Sequence, residues 1–247
     1  MDREVRVTCL RGRTSDRTDG AGAGAQALAE ALGGRVVGSA SPGRPRDWSE
    51  DLPEARPVLE AAAAELSAAL DQGELPVLTA SDCSICIATL PTVARRVPGV
   101  RLLWIDAHGD FNSPETTPSG FLGGMCLAAA CGRWDAGWPD TIDPQSVHFL
   151  GVRELDPGER EDAEAAGVRT GVPEEGPVYV HFDCDGLDPE VMPVQFPVPG
   201  GLAPDEVRDV LAALAADGRL VGIEVTALED PGHAPAVAEL LPIHHAR

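Results

Sequence analysis

The sequence predicts an α/β protein with a three-layer α/β/α architecture around a mostly parallel central sheet. Short runs rich in Val, Leu and Ile alternate with Ala-rich amphipathic stretches, a pattern typical of repeated strand–helix units. The 27 glycines and 22 prolines cluster between the apolar runs rather than in one tract. Because α/β chains of 247 residues commonly fold as one unit, we expect a single domain over residues 1–247.

The alternation predicts six strands and six helices. The strands are predicted at residues 5–10, 75–79, 100–105, 147–152, 178–182 and 220–225. The helices are predicted at residues 23–32, 55–72, 85–97, 157–166, 204–217 and 234–245. Pro204 and Gly218 bound the fifth helix, since proline favours the first helical position and glycine follows the last turn. Residues 39–53, dense in Pro, Gly, Arg and Asp, are expected to form a surface loop.

The charge of the chain argues against two classes of partner. There are 40 acidic and 19 basic residues, a net charge of −21, which disfavours nucleic acid and anionic membranes and suits a small cationic substrate. The N-terminus is polar and no apolar run is long enough to span a bilayer, so we expect a cytoplasmic protein. Six cysteines are too few for a disulfide scaffold, so any that matter act as ligands or nucleophiles.

Potential metal ligands follow two of the predicted strands. Asp106, His108 and Asp110 occupy alternate positions after the third strand, and Asp183 and Asp185 follow the fifth. Alternate residues point to one side of an extended chain, and parallel sheets bind ligands at the carboxyl ends of their strands. Either motif alone is also typical of a helix cap or a surface turn. Together they would repel each other strongly unless divalent cations neutralised them.

This ligand set favours two hard divalent cations. Four carboxylates with one imidazole suit Mn²⁺ or Mg²⁺ better than a structural zinc site. Two such ions roughly 3.5 Å apart can share a water, lower its pKa and present hydroxide to a trigonal carbon.

Both motifs carry a resemblance to a known family. Residues 104–112 (Trp-Ile-Asp-Ala-His-Gly-Asp-Phe-Asn) and 181–189 (His-Phe-Asp-Cys-Asp-Gly-Leu-Asp-Pro) resemble the two main signatures of the arginase/agmatinase, or ureohydrolase, family. The resemblance runs from about residue 75 to residue 226 and leaves the N-terminal third weakly matched. It implies a three-layer α/β/α fold with two Mn²⁺ ions as cofactors.

The resemblance also implies a role for each ligand. Asp106 and Asp183 would bridge both ions, Asp110 would bind the first ion, and His108 and Asp185 would bind the second.

Cysteine stands where the family motif Gly-Gly-Asp-His-Ser has a metal-binding histidine. Residues 80–84 read Ala-Ser-Asp-Cys-Ser, so the resemblance makes Cys83 the sixth metal ligand. A thiolate would replace a neutral ligand with an anionic one, so a bound water should be less acidic than in an arginase. Two other interpretations stay open. Cys83 could be a plain buried cysteine, or it could form a redox or zinc-binding C-x-x-C with Cys86, although no second C-x-x-C completes four sulfur ligands.

Further matches concern the substrate. The resemblance places Asn112 and Ser119 at the α-carboxylate and Glu154 and Asp156 at the α-amino group. Glu224 matches the carboxylate that pairs with the guanidinium, which implies a catalytic role. A Glu in a buried strand is costly unless paired, so a cationic partner is expected for it, the alternative being an exposed strand edge. The expected substrate is an α-amino acid with a guanidine-like head rather than agmatine.

Glycine stands at position 123, where arginases carry a histidine that shuttles protons. Such a positioned group is worth ~10²–10⁴-fold in rate, so the protein is either a weak arginase or has a different substrate. We expect Asp110 to act catalytically as the proton donor instead. An N-hydroxylated guanidine fits both Cys83 and Gly123, because its hydroxyl lowers its basicity and could occupy the room that glycine leaves. The expected reaction converts Nω-hydroxy-L-arginine to hydroxyurea and L-ornithine.

Two other functions stay open. One is ordinary arginase activity, or hydrolysis of another guanidino acid. The other is a non-catalytic, metal-dependent amino-acid sensor, although a sensor would need fewer of the metal ligands. The expected partner is a small amino-acid substrate, with no nucleic acid and no membrane. A monomer is expected, because one Ala-rich helix follows Glu224 in place of the longer tail through which many arginases trimerise.

Overall fold

The computed structural model describes residues 3–243, and within them one sheet of eight strands runs through the molecule. The strands are β1 (Val5–Arg11), β2 (Arg35–Gly38), β3 (Leu75–Thr79), β4 (Arg101–Ile105), β5 (Val147–Leu150), β6 (Arg169–Thr170), β7 (Val178–Asp183) and β8 (Leu220–Thr226). Their order in the sheet is β2-β1-β3-β8-β7-β4-β5-β6, and every neighbouring pair is parallel. The carboxyl ends of β3, β8, β7 and β4 therefore lie side by side at one edge.

Helices cover both faces of this sheet. They are α1 (Gly20–Ala31), α2 (Trp48–Asp71), α3 (Cys86–Arg96), α4 (Cys126–Ala130), α5 (Glu159–Ala166), α6 (Pro204–Ala216) and α7 (Ala234–Ala238). Strand β4 shows why two layers are needed: Leu102 and Trp104 pack into the core beneath α2 and α3, whereas Leu103 and Ile105 pack into the core beneath α1 and α6. All four side chains are fully buried. The predicted three-layer fold is confirmed.

All six predicted strands are present, with ends within two residues of the predicted positions. The short strands β2 and β6 and the short helix α4 were not predicted, because so few residues carry little periodicity. The predicted surface loop at 39–53 is wrong at its end. Helix α2 begins at Trp48, where the Asp47 side chain accepts a hydrogen bond from the Ser49 amide, and it continues through Pro53, which favoured a loop in the sequence.

The predicted helix at 234–245 is too long. Helix α7 ends at Ala238, and the end of the prediction lies outside the described residues. Within residues 3–243, no helix has the length and apolar character needed to cross a membrane.

A buried ion pair anchors the loop that follows β1. Arg13 Nη1 lies 2.5 Å from Asp51 Oδ1 on α2, and both side chains are fully buried. Arg13 also donates to the backbone carbonyls of Asp16 and Arg44, at 3.2 and 2.7 Å. These bonds hold residues 12–19 against the body of the fold, at the same sheet edge as the ends of β3 and β8.

Replacing Asp51 with Ala should lower the free energy of unfolding by about 3–5 kcal/mol, because the Arg13 guanidinium would remain buried without its counter-charge. Urea denaturation of the variant and the wild type measures the difference. Glu65→Ala, which breaks the solvent-exposed pair with Arg35, should cost under about 1 kcal/mol. A similarly small loss for Asp51→Ala would show that the buried pair does not anchor the loop.

Candidate metal centre

One cavity at the carboxyl edge of the sheet contains all six predicted metal ligands. Its lining includes Cys83, Asp106, His108, Asp110, Asp183 and Asp185. The ligand atoms of five of these six residues, together with His181, form two overlapping groups, each with all its atoms within 4.8 Å of one another, and Asp110 belongs to neither group. The first group is Cys83, Asp106, His181 and Asp183. The second is Asp106, His108 and Asp185. Asp106 belongs to both groups, whereas Asp183, the other predicted bridging ligand, belongs to the first alone.

Short backbone turns aim these side chains into the cavity. Asp106 directly follows β4 and accepts a hydrogen bond from the His108 amide at 2.7 Å, and Asp183, the last residue of β7, accepts one from the Asp185 amide at 2.7 Å. Asp110 has a left-handed backbone, with φ of 49°, which is uncommon outside glycine. Strain of this kind persists only where the surrounding structure enforces it, and the Asp110 carbonyl accepts two amides at the start of α4.

The cavity is electrostatically crowded. Asp106, Asp110, Asp183 and Asp185 are only 1–7% exposed. Burial, with the charges of Asp185 and Asp110, raises the pKa of Asp106 well above its ordinary range. Burial also raises the pKa of Asp183, and the charge of Asp185 adds to that effect. Asp106 Oδ2 is buried without a hydrogen-bond partner. A buried carboxylate oxygen without a partner, in a group of closely spaced carboxylates, is what a divalent cation would bind.

Cys83 is part of this cluster rather than a plain core cysteine. Its Sγ lies 2.7 Å from Asp183 Oδ2 and 3.2 Å from Thr226 Oγ1. Burial and the charge of Asp183 raise the pKa of the thiol well above its usual value, and a bound dication would oppose that shift. Cys86 is fully buried and does not line the cavity, and neither cysteine forms a disulfide. The geometry therefore disfavours a C-x-x-C site.

Glu224 departs from its predicted place at the substrate. It is fully buried in the central strand β8, so the exposed-edge alternative is wrong. It does not line the cavity. Its Oε2 accepts from Tyr179 Oη at 2.9 Å, and its Oε1 lies 2.7 Å from His181 Nδ1. Both oxygens thus have protein partners, and Glu224 positions His181 instead of facing a guanidinium.

The room expected at Gly123 is not empty. A Cβ added there would lie 2.5 Å from Cε1 of Phe121, so an aromatic ring occupies the space. The Phe121 ring packs against Phe196, with centroids 5.5 Å apart. The prediction that glycine opens room for a substrate hydroxyl is therefore wrong.

A wider cleft adjoins the cavity and contains the four residues predicted to hold the amino-acid end. These are Asn112, Ser119, Glu154 and Asp156. Asn112 Nδ2 donates to Asp156 Oδ2 at 2.9 Å, and Glu154 Oε2 lies 3.3 Å from His108 Nε2. His108 and Asp110 line both the cavity and the cleft, so the two spaces are adjacent.

Sequence reasoning missed three acids that line the cavity, Asp16, Asp82 and Glu229. Each follows a strand at the carboxyl edge, so the rule that identified Asp106 could have identified them. Burial and the charge of Asp82 raise the pKa of Asp16 to about 7. His181 was also missed as a neighbour of Cys83, because it lies inside a strand rather than after one.

The chain is similar to known proteins in sequence and in fold. The Arginase family model matches residues 14–175 and 167–236. The chain is 41% identical over 238 residues to the Nω-hydroxy-L-arginine amidinohydrolase of Streptomyces lavendulae, covering 89% of this chain and 87% of that protein. It is 37% identical over 183 residues to the arginase of Bacillus caldovelox, covering 61% of each chain. A crystal structure of that arginase matches with a TM-score of 0.80 at 25% identity, covering 99% of this chain and 100% of that one.

The chain belongs to the arginase family. It is a hydrolase that acts on guanidino or amidine groups, and the cavity described above contains the residues that could hold the metal pair on which this family depends.

Cys83→Ala should lower the metal content from two ions to about one per chain, because the first ion would lose a ligand. Elemental analysis of purified, metal-loaded protein measures this. Cys86→Ala is the matched control, since that thiol is buried nearby but does not line the cavity, and it should keep both ions. Full metal content in Cys83→Ala would contradict the assignment of sulfur as a ligand.

Proposed function

We propose that the protein hydrolyses Nω-hydroxy-L-arginine to hydroxyurea and L-ornithine with the help of two Mn²⁺ ions. The observation that carries the proposal is the pair of changes at the cavity: a thiol at Cys83 where arginases place imidazole, and Gly123 where they place a proton-shuttling histidine. The 41% identity to an Nω-hydroxy-L-arginine amidinohydrolase supports the same substrate.

The cavity suits two hard cations because its donors are mostly carboxylate oxygens, and this composition favours manganese over zinc. Bound Mn²⁺ would supply the Lewis acidity that makes a water nucleophilic at neutral pH. Asp106 and Asp183 would be the shared ligands, with Cys83 and Asp110 on one ion and His108 and Asp185 on the other.

Asp110 is the proposed proton carrier. It lines both the metal cavity and the cleft, so it can reach the attacking water as well as the scissile bond. As water adds to the carbon of the neutral hydroxyguanidine, one of its protons goes to the hydroxyimino nitrogen, and Asp110 takes up the other and passes it to the δ-nitrogen. The bond between that nitrogen and the carbon breaks, releasing L-ornithine, and the remaining carbon becomes the carbonyl of hydroxyurea.

The hydroxyguanidine suits this site better than a guanidine does. Its lower basicity leaves more of it neutral near pH 7, so no residue in place of the missing histidine has to remove a proton from it. The N-hydroxyl does not need empty space at Gly123. Asp16, Asp82 and Glu229 line the cavity but not the cleft, and they offer acceptors for a hydroxyl at the far end of the substrate.

We expect kcat/KM for Nω-hydroxy-L-arginine to exceed that for L-arginine by at least ~10², about 2.7 kcal/mol of differential transition-state binding. Side-by-side assays of ornithine release, with manganese supplied, measure the ratio. Comparable urea formation from L-arginine would favour an ordinary arginase. No ornithine from either substrate, with both metals bound, would favour a sensor.

Asp110→Asn should lower kcat by ~10²-fold or more while KM changes little, because a proton is carried only as the reaction proceeds. Metal content is measured in the same preparation. Glu154→Gln is the contrasting variant: it lies in the cleft but not in the cavity, so it should raise KM with little change in kcat. Near-normal turnover of metal-loaded Asp110→Asn would rule out the proton-carrying role.

A further inference from the structure

We infer that Arg17, in the loop after β1, is the counter-charge for the substrate's α-carboxylate and makes the site select amino acids over the corresponding decarboxylated amines. This inference rests on the proposed function in one respect, that the substrate is an α-amino acid. It concerns a residue outside the two motifs that identify the metal centre.

The position of Arg17 is suitable for this role. It lines the wider cleft together with Asn112 and Ser119, the two neutral residues predicted to hold the carboxylate. Its guanidinium carbon lies 4.5 Å from the centroid of the Phe121 ring. A cation–π contact holds the guanidinium plane in place without using any of its N–H donors. Those donors stay free for a ligand.

The structure gives Arg17 no acidic partner within 4.0 Å among residues 3–243. Its Nε is buried and lacks a hydrogen-bond partner. Arg44 Nε is also buried without a partner, but the neighbouring arginines differ from Arg17 in having acidic partners: Arg13 pairs with Asp51, and both Arg44 and Arg46 pair with Glu54. In a chain with 40 acidic residues, an arginine held against an aromatic ring with a buried, unpartnered donor indicates a site for an external anion.

The charge of the cleft favours such a cation. Four acids line it: Asp110, Glu154, Asp156 and Glu159. An incoming carboxylate would be repelled by them, and the neutral donors are already engaged in part. Asn112 Nδ2 donates to Asp156, and Asn112 Oδ1 accepts from Thr116. A guanidinium can instead bind a carboxylate through two parallel N–H donors, which offsets the repulsion.

Selectivity follows from the same balance. A diamine, which lacks the carboxylate, can pair its amino group with the acids of the cleft, but it leaves Arg17 without a counter-charge. An amino acid satisfies both signs of charge at once. The amino group then faces Glu154 and Asp156 while the carboxylate faces Arg17, which fixes the direction in which the side chain enters the metal cavity.

The test compares binding of L-ornithine and of putrescine, which lacks the carboxylate, to the manganese-loaded protein by isothermal titration calorimetry. Arg17→Gln should weaken ornithine binding at least ~10-fold, the scale of a lost charge-assisted hydrogen bond. Putrescine binding should change less than ~2-fold. Arg17→Lys should recover part of the ornithine affinity, and Arg46→Gln, which removes an equal charge outside the cleft, should leave both affinities unchanged.

Equal weakening of both ligands by Arg17→Gln would show that Arg17 only supports the loop, and this would overturn the inference. Unchanged ornithine binding in Arg17→Gln, or no measurable ornithine binding by the wild type, would also overturn it. Hydroxyarginine turnover by the wild type is recorded separately. If turnover is absent while the ornithine–putrescine difference depends on Arg17, the proposed function fails and the inference stands. If turnover is present without that dependence, only the inference fails.

Discussion

Four carboxylates in one buried cavity repel one another, and the sheet, the backbone amides and the turns around them hold them together. The parallel sheet carries them to one edge, because β4 and β7 are neighbours and end at the same level. Backbone amides donate to Asp106 and Asp183, and a left-handed residue turns Asp110 inward. These hydrogen bonds do not neutralise the negative charge of the carboxylates, and divalent cations can do so.

The loop after β1 links this cavity to the rest of the fold. Arg13 anchors it to α2, and Ser15 Oγ donates to Asp82 Oδ1 at 2.5 Å beside Cys83. Arg17, two residues further along, reaches the cleft. A short segment from the N-terminal third, which carries neither family signature, therefore contributes to the lining of the cavity and of the adjoining cleft.

A buried group of polar and aromatic side chains within the sheet also supports the cavity. Glu224 and His181 are register partners on β8 and β7, and Tyr179 completes the hydrogen bonds of the carboxylate. The His181 ring stacks on Trp104 of β4 with centroids 3.7 Å apart. His181 Nε2 lies 3.5 Å from Thr226 Oγ1, which itself lies beside Cys83. This buried polar group links three strands beneath the metal ligands and restricts how far they can move.

The sequence by itself determined the fold class and the six main strands, and it predicted the six candidate ligands that the structure brings to one cavity. The strands and five of the candidate ligands follow from local rules: apolar periodicity defines the strands, and polar residues directly after parallel strands meet at one edge. Cys83 was predicted from the resemblance to the family motif. Only the tertiary structure decided that Glu224 faces His181, that Phe121 fills the space at Gly123, and that Arg17 reaches the cleft. Each of these contacts depends on which side chain of a distant segment packs at that position. The direction of a strand residue can be predicted, but the partner it meets is set by the register and packing of neighbouring elements.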